Sequence, residues 1–150
     1  MYYRNIPYWV KNKMVHVKKK ELENNNQNEI GYLNINVFQY VLKTPIEGAI
    51  VKVSTLTVTG LYRENGLGVF INTDISDQDG KVPTFKLPVL KEENEYYIVS
   101  VQAPDYHTAY LIDVPIYPDV TTFYDIYLRH YSSGGDPDYE FIMQPQIIRQ

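Results

Sequence analysis

Hydrolytic chemistry would begin at histidine, serine and carboxylate side chains, and this sequence scatters them. Its histidines are His16, His107 and His130, and its serines are Ser54, Ser76, Ser100, Ser132 and Ser133. Nucleophilic catalysis needs a hydroxyl within reach of a base. None of the five serines has the flanking glycines of the sharp turn that exposes a nucleophile. Cysteine is absent, which removes disulfides, thiolate nucleophiles and thiolate metal sites. The histidines read as surface or strand-end residues. The chain reads as a protein that is not an enzyme, with no cofactor, no metal and no catalytic residue.

Other constellations fail on spacing. Asp74, Asp77 and Asp79 before Gly80 suggest calcium, but a helix-flanked calcium loop needs an oxygen donor at Ile75 and a glutamate at Lys86. The cluster reads instead as a turn in which an aspartate bonds its own backbone. Gly66-Leu67-Gly68 lacks the next glycine and the helix of a phosphate loop. An internal Lys–Asn isopeptide bond would need a lysine in the first body strand and an asparagine in the last. Gly31 to Val37 holds Asn34 and Asn36 but no lysine, and Thr121 to His130 holds no asparagine. The run Lys18-Lys19-Lys20, behind Tyr8 and Trp9, could face nucleic acid, but Glu21 and Glu23 follow it.

The elements that would position these residues are strands. Fifteen tyrosines, nine prolines and many Val, Ile and Thr suit a pleated, half-buried surface. Leu33, Ile35 and Val37 alternate with Asn34 and Asn36; Ala49, Val51 and Val53 alternate with Ile50 and Lys52. Gly66 and Gly68 are expected in a loop before Val69, and Asp77-Gln78-Asp79-Gly80 in a turn. Phe85 and Leu87, then Tyr97, Val99 and Val101, then Ile112, Val114 and Ile116, then Tyr124, Ile126 and Leu128 supply further inward faces. Pro115 cannot donate to a ladder, so its strand is expected at an edge or bulged. About seven short strands with regular turns make an all-β, Greek-key sandwich with extended terminal tails.

The expected organisation has three parts. Residues 1–30 are a basic aromatic arm and linker, with six bases against three acids, which leaves the remainder at −7 of a total of −4. Residues 31–131 are the sandwich. Residues 132–150 are a Ser-Gly-rich joint and an apolar tail. No run approaches a membrane span of about 18 apolar residues, and Arg4, Asn5 and Lys11 interrupt any secretory leader.

The order of motifs resembles a known family. Pro45-Ile46-Glu47-Gly48-Ala49-Ile50-Val51-Lys52-Val53, the turn Ser76-Asp77-Gln78-Asp79-Gly80 and the following Lys81-Val82-Pro83-Thr84-Phe85-Lys86-Leu87-Pro88 are similar to carboxypeptidase-regulatory-like domains. The form of the last stretch looks most like the N-terminal accessory domain of spore cortex-lytic enzymes. The resemblance covers residues 31–130 and implies a prealbumin-like sandwich in a non-catalytic accessory role. Val99 to Tyr106 is similar to a family strand that ends in Gly-Tyr, but here Asp105 replaces the glycine.

Together these features lead to the expectation of a structural subunit that self-assembles by lending strands to a neighbour, in a spore-surface or other extracellular fibre or layer. The candidate donor residues are Tyr8, Trp9, Met14, Val15 and Val17 in the arm and Tyr139, Phe141, Ile142 and Met143 in the tail. The expected partners are further copies of the chain or a cell-envelope or spore component, with no nucleic acid and no membrane. A second reading is a glycan- or wall-binding accessory module partnered with a lytic enzyme, with Tyr62, Tyr96, Tyr110 and Tyr117 stacking on sugars. A third is a component of a phage or contractile-tail particle.

Overall fold

A computed structural model describes residues 29–131 in full and, beyond them, the backbone of two short strands at 18–19 and 141–143. In chain order the strands are β1 (Lys18–Lys19), β2 (Ile30–Gln39), β3 (Ile50–Thr59), β4 (Asn65–Ile75), β5 (Phe85–Pro88), β6 (Glu95–Gln102), β7 (Ala109–Ile112), β8 (Thr121–Leu128) and β9 (Phe141–Met143). Seven of them, β2 to β8, build an all-β sandwich. One sheet runs β1-β4-β3-β6-β7-β9 and the other β5-β2-β8. Among the described residues no helix is long and apolar enough to cross a membrane.

Period-two patterning explains how the layers close. Leu33, Ile35 and Val37 of β2 and Tyr124, Ile126 and Leu128 of β8 face inward from the smaller sheet. Val51 and Val53 of β3 and Tyr97, Val99 and Val101 of β6 meet them from the larger one. Alternate side chains point to opposite faces, so a single register buries each set. Ile46, Val82, Phe85 and Leu87 close the rest of the core. A small second cluster, Leu56 and Ile98 with Val58, Tyr110 and Ile112, is separate from this core.

Two strand assignments need correction. Gly66 and Gly68 lie inside β4, paired with Val58 and Leu56 across an eleven-residue hairpin arm. Glycine weakens a strand without forbidding it, and β3 supplies the ladder. The strand expected around Ile112, Val114 and Ile116 lies earlier, at Ala109–Ile112, with Ala109 and Leu111 turned inward. Val114 and Ile116 are still buried, in the irregular segment around Pro115. The pairing of β3 and β4 also shifts between Val53 and Ser54, where Val53 opposes Asn72 and Ser54 opposes Phe70. This bulge leaves Ile71 as the extra residue.

The edges of the larger sheet are occupied by the same chain. β1 lies parallel to β4, with Lys18 opposite Val69, and β9 lies parallel to β7, with Phe141, Ile142 and Met143 opposite Ala109, Tyr110 and Leu111. Edge strands expose unpaired N–H and C=O groups that invite another chain. Phe141, Ile142 and Met143, named among the residues to be lent to a neighbour, pair here with β7 of their own chain. Tyr8, Trp9, Met14, Val15, Val17 and Tyr139 lie outside the described residues.

Candidate functional site

β8 lies parallel to β2 in register, Tyr32 opposite Thr121 through Gln39 opposite Leu128. The inward residues of the pair form core, so the outward ones form a second, solvent-facing row. From one end to the other, β2 presents Tyr32, Asn34, Asn36 and Phe38, and β8 presents Phe123, Asp125 and Tyr127. On the other flank, Lys86 stands opposite Tyr32 and Lys81 opposite Asn36, both exposed. Cross-strand partners share a face, so both lysines border the same surface.

The middle of this surface is a hydrogen-bonded polar band. The Asn36 Nδ2 donates to Asp125 Oδ1 at 2.9 Å, and the Thr84 hydroxyl donates to Asn34 Oδ1. Each amide is thereby oriented and keeps polar atoms for a ligand. Aromatic rings stand on both sides of the band. Phe123 is 52% exposed on this face. At the far end Phe38 stacks on Tyr127 with centroids 5.6 Å apart.

That end is also cationic. The ammonium of Lys43 lies 4.5 Å from the centre of the Tyr40 ring and 4.3 Å from that of Tyr127, and the Arg129 guanidinium lies 4.0 Å from Tyr40. Lys43 reaches this position from a turn in which its own φ is +58°, a left-handed conformation that non-glycine side chains seldom adopt. The turn is held by the Gln39 N–H to the Thr44 carbonyl at 2.8 Å and the Lys43 N–H to the Gln39 carbonyl at 3.0 Å. Among the described residues, two phenol rings are what the Lys43 ammonium faces.

The residues first suspected of chemistry serve other ends. The buried Ser76 hydroxyl donates to the Ile46 carbonyl at 2.6 Å and accepts from the Ala49 N–H at 2.9 Å. Asp77 Oδ1 accepts from the Asp79 and Lys81 N–H groups, each at 2.9 Å, which is the turn expected there. His130 stacks on Tyr106 at 4.0 Å, with Nδ1 3.2 Å from the Asp105 carbonyl oxygen; His107 packs edge-on against Tyr131. Among the described residues no three or more His, Cys, Asp or Glu side chains gather as a metal site would require. Burial pushes the Tyr97 phenol well above its usual range, with the nearby Glu95 charge adding to the effect, while its hydroxyl donates to the Pro88 carbonyl at 2.6 Å. Partial desolvation likewise raises the Asp113 carboxyl. Both groups stand off the outer face of the smaller sheet.

Of the tyrosines expected to stack on sugars, Tyr62 is at the β3–β4 hairpin tip and Tyr117 in the loop before β8. Tyr96 and Tyr110 belong to the larger sheet, where Tyr96 accepts from Arg63. They do not share a surface. The rings that do, at positions 32, 38, 40, 123 and 127, carried a signal in the sequence: the outward half of each alternating strand. The parallel neighbourhood of β2 and β8 had none, since about ninety residues separate them.

No family model matches the chain, and no curated protein matches it. Solved structures similar to it include a mutant of Acinetobacter radioresistens catechol 1,2 dioxygenase, at 12% identity and a TM-score of 0.48, covering 78% of this chain and 58% of that one. Catechol 1,2-dioxygenase from Acinetobacter sp. ADP1, inhibited by bound mercury, is 9% identical with a TM-score of 0.48, over 85% and 62% of the two chains. Hydroxyquinol 1,2-dioxygenase from Pseudomonas putida DLL-E4 is 13% identical with a TM-score of 0.38, over 87% and 63%. The chain thus spans about three-fifths of the length of these enzymes. At such identities and TM-scores the likeness transfers neither fold family, reaction nor residues. The expectation of a fibre subunit that lends its terminal strands to a neighbour is nevertheless corrected: β9 pairs with β7, and the two residues of β1 with β4, within the chain itself.

Proposed function

We propose that the chain is a carbohydrate-recognition domain that binds through the outer face of the β5-β2-β8 sheet. Glycan is among the partners expected from the sequence, on other residues. The single observation that carries the reading is the polar band of Asn34, Asn36 and Asp125, with Phe123 beside Asn34 and the stacked pair Phe38–Tyr127 beyond Asn36 and Asp125. Sugar rings offer an apolar C–H face and a rim of hydroxyls. Aromatic side chains cover the first, and oriented amides and carboxylates pair with the second. Phe123 and Tyr127 are four residues apart on one strand, roughly 13 Å at the rise of extended chain. A short oligosaccharide laid along β8 would touch both.

A sheet also suits the task mechanically. The inward residues of β2 and β8 are locked in the core, so the outward ones are presented with little freedom to lose on binding. In the same reading the domain remains a relative of carboxypeptidase-regulatory-like domains. Asp105 supports this, because it adopts φ +68°, the left-handed conformation that the family's glycine would take without strain. The surface is read as one that recognises its ligand rather than converts it.

The test is a titration of isotopically labelled protein with a panel of soluble neutral and acidic oligosaccharides, followed by amide chemical shifts. Shifts on β2, β5 and β8, weakened about tenfold by Phe123→Ala or Asn36→Ala, are the expected outcome; tenfold corresponds to about 1.4 kcal/mol. If no saccharide moves these amides, or the shifts fall on the larger sheet, the proposal is wrong.

A further inference from the structure

We infer that this face is selective for acidic glycans, those carrying carboxylates along the saccharide chain; the inference rests on the carbohydrate reading above. The protein carries a net charge of −4, yet its outer small-sheet face is bordered by Lys43, Lys81, Lys86 and Arg129. Asp125 is the one carboxylate at an outward position of β2, β5 or β8. Asp77 and Asp79 offset Lys81 in its turn, but at the Lys43–Arg129 end and at Lys86 the local field favours an anion approaching along the sheet.

The placement of the cations adds a second argument. Lys43 and Arg129 lie over the same Tyr40 ring, so they stand no farther apart than those two contact distances laid end to end. The Lys43 ammonium is held by ring faces, which leaves its N–H donors directed to solvent or ligand. Lys43 occupies a left-handed backbone position where glycine would sit more easily, and that conformation carries its ammonium to the rings. At the other end Lys86 stands opposite Tyr32. A ligand in contact with both ends would meet a cation at each end, with the Asp125 carboxylate between them.

Asp125 argues for a saccharide rather than a nucleic acid. A phosphate chain run along β8 would cross this carboxylate midway, whereas sugar hydroxyls donate to it.

The experiment compares oligogalacturonate, oligomannuronate and hyaluronan fragments with carboxyl-reduced forms of each, by calorimetry on the full chain. An oligodeoxynucleotide of matched charge is the control ligand. The expected result is that at least one acidic glycan binds tenfold or more tightly than its reduced form. Affinity should fall as salt rises from about 0.05 to about 0.5 M, because screening then reaches across the contact distance. The double variant Lys81→Gln/Lys86→Gln, exposed on both counts, should lose about tenfold, while Lys52→Gln on the larger sheet should lose nothing. Equal affinity for acidic and reduced forms would overturn the inference and leave the carbohydrate reading standing. Binding of neither form would end both. Equally tight binding of the oligodeoxynucleotide would overturn selectivity for glycans and point to a nucleic-acid surface.

Discussion

Tyr97 shows what a single buried polar tip does to the protein. Its ring is 1% exposed in the core, and its hydroxyl reaches the Pro88 carbonyl, tying β6 to the end of β5. Burial raises its pKa in the folded state, so above about pH 10, the usual phenol value, the folded chain holds a proton that the unfolded chain releases. Stability from this group is therefore complete below about pH 10 and declines as pH rises beyond it. Tyr97→Phe should cost about 1 kcal/mol at neutral pH through the lost hydrogen bond. Chemical denaturation from about pH 8 to about pH 11.5 should show a shallower alkaline decline for the variant than for the parent. Two glycines separate backbone strain from crowding. Gly80 and Gly48 both have left-handed φ, +74° and +79°. A Cβ on Gly80 would collide with the Val37 carbonyl oxygen and press on Pro45, whereas one on Gly48 meets nothing within 4 Å. Gly48→Ala should cost about 1 kcal/mol for the conformation alone. Gly80→Ala should cost roughly 2–3 kcal/mol, since steric displacement adds to it. Similar unfolding midpoints for the two would show that the turn gives way freely.

β8 is the element that joins stability to the proposed function. Ile126 on its inner face is 1% exposed, while Phe123 on its outer face is half open to solvent. Ile126→Ala should destabilise by roughly 2–5 kcal/mol, the range for a cavity in a closed core. Phe123→Ala should change stability by less than about 0.5 kcal/mol and should instead weaken ligand binding about tenfold. Thermal unfolding of both variants tests the facing of the whole strand, because a register slip of one residue would exchange their effects. Alternation made this facing legible in advance: Tyr124, Ile126 and Leu128 were expected inside, and they are. β7 was less legible. Ala109, Leu111, Ile112, Val114 and Ile116 offer apolar residues over a longer stretch than the strand uses. Pairing with β6 at Ala109–Ile112 selects the earlier part, and Pro115 stands outside the ladder.

At the scale of the molecule, the terminal strands lie at the two ends of the larger sheet. β9 pairs along β7 and β1 pairs with Val69 and Phe70 of β4, and with these contacts made internally the intact chain should run as a monomer in size-exclusion chromatography with light scattering. A fragment of residues 29–131 keeps the core formed by the described residues and should still fold. With its edges bare it should associate more readily than the parent and exchange the amides of Val69 to Phe70 and Ala109 to Leu111 faster. An intact chain that forms polymers, or a fragment with unchanged exchange, would contradict this role. The sequence by itself determined the class of fold, most of the core and the turn at Asp77, because strand period, β-branching and side-chain-to-backbone bonding are local properties. Tertiary structure decided what lies beside what. It set β8 parallel to β2, turned Asn36 toward Asp125, and gathered Lys43, Lys81, Lys86 and Arg129 around one face. It also brought β1 and β9 back onto their own sheet. Such neighbourhoods depend on pairing between segments far apart in the chain, and no short-range pattern records them.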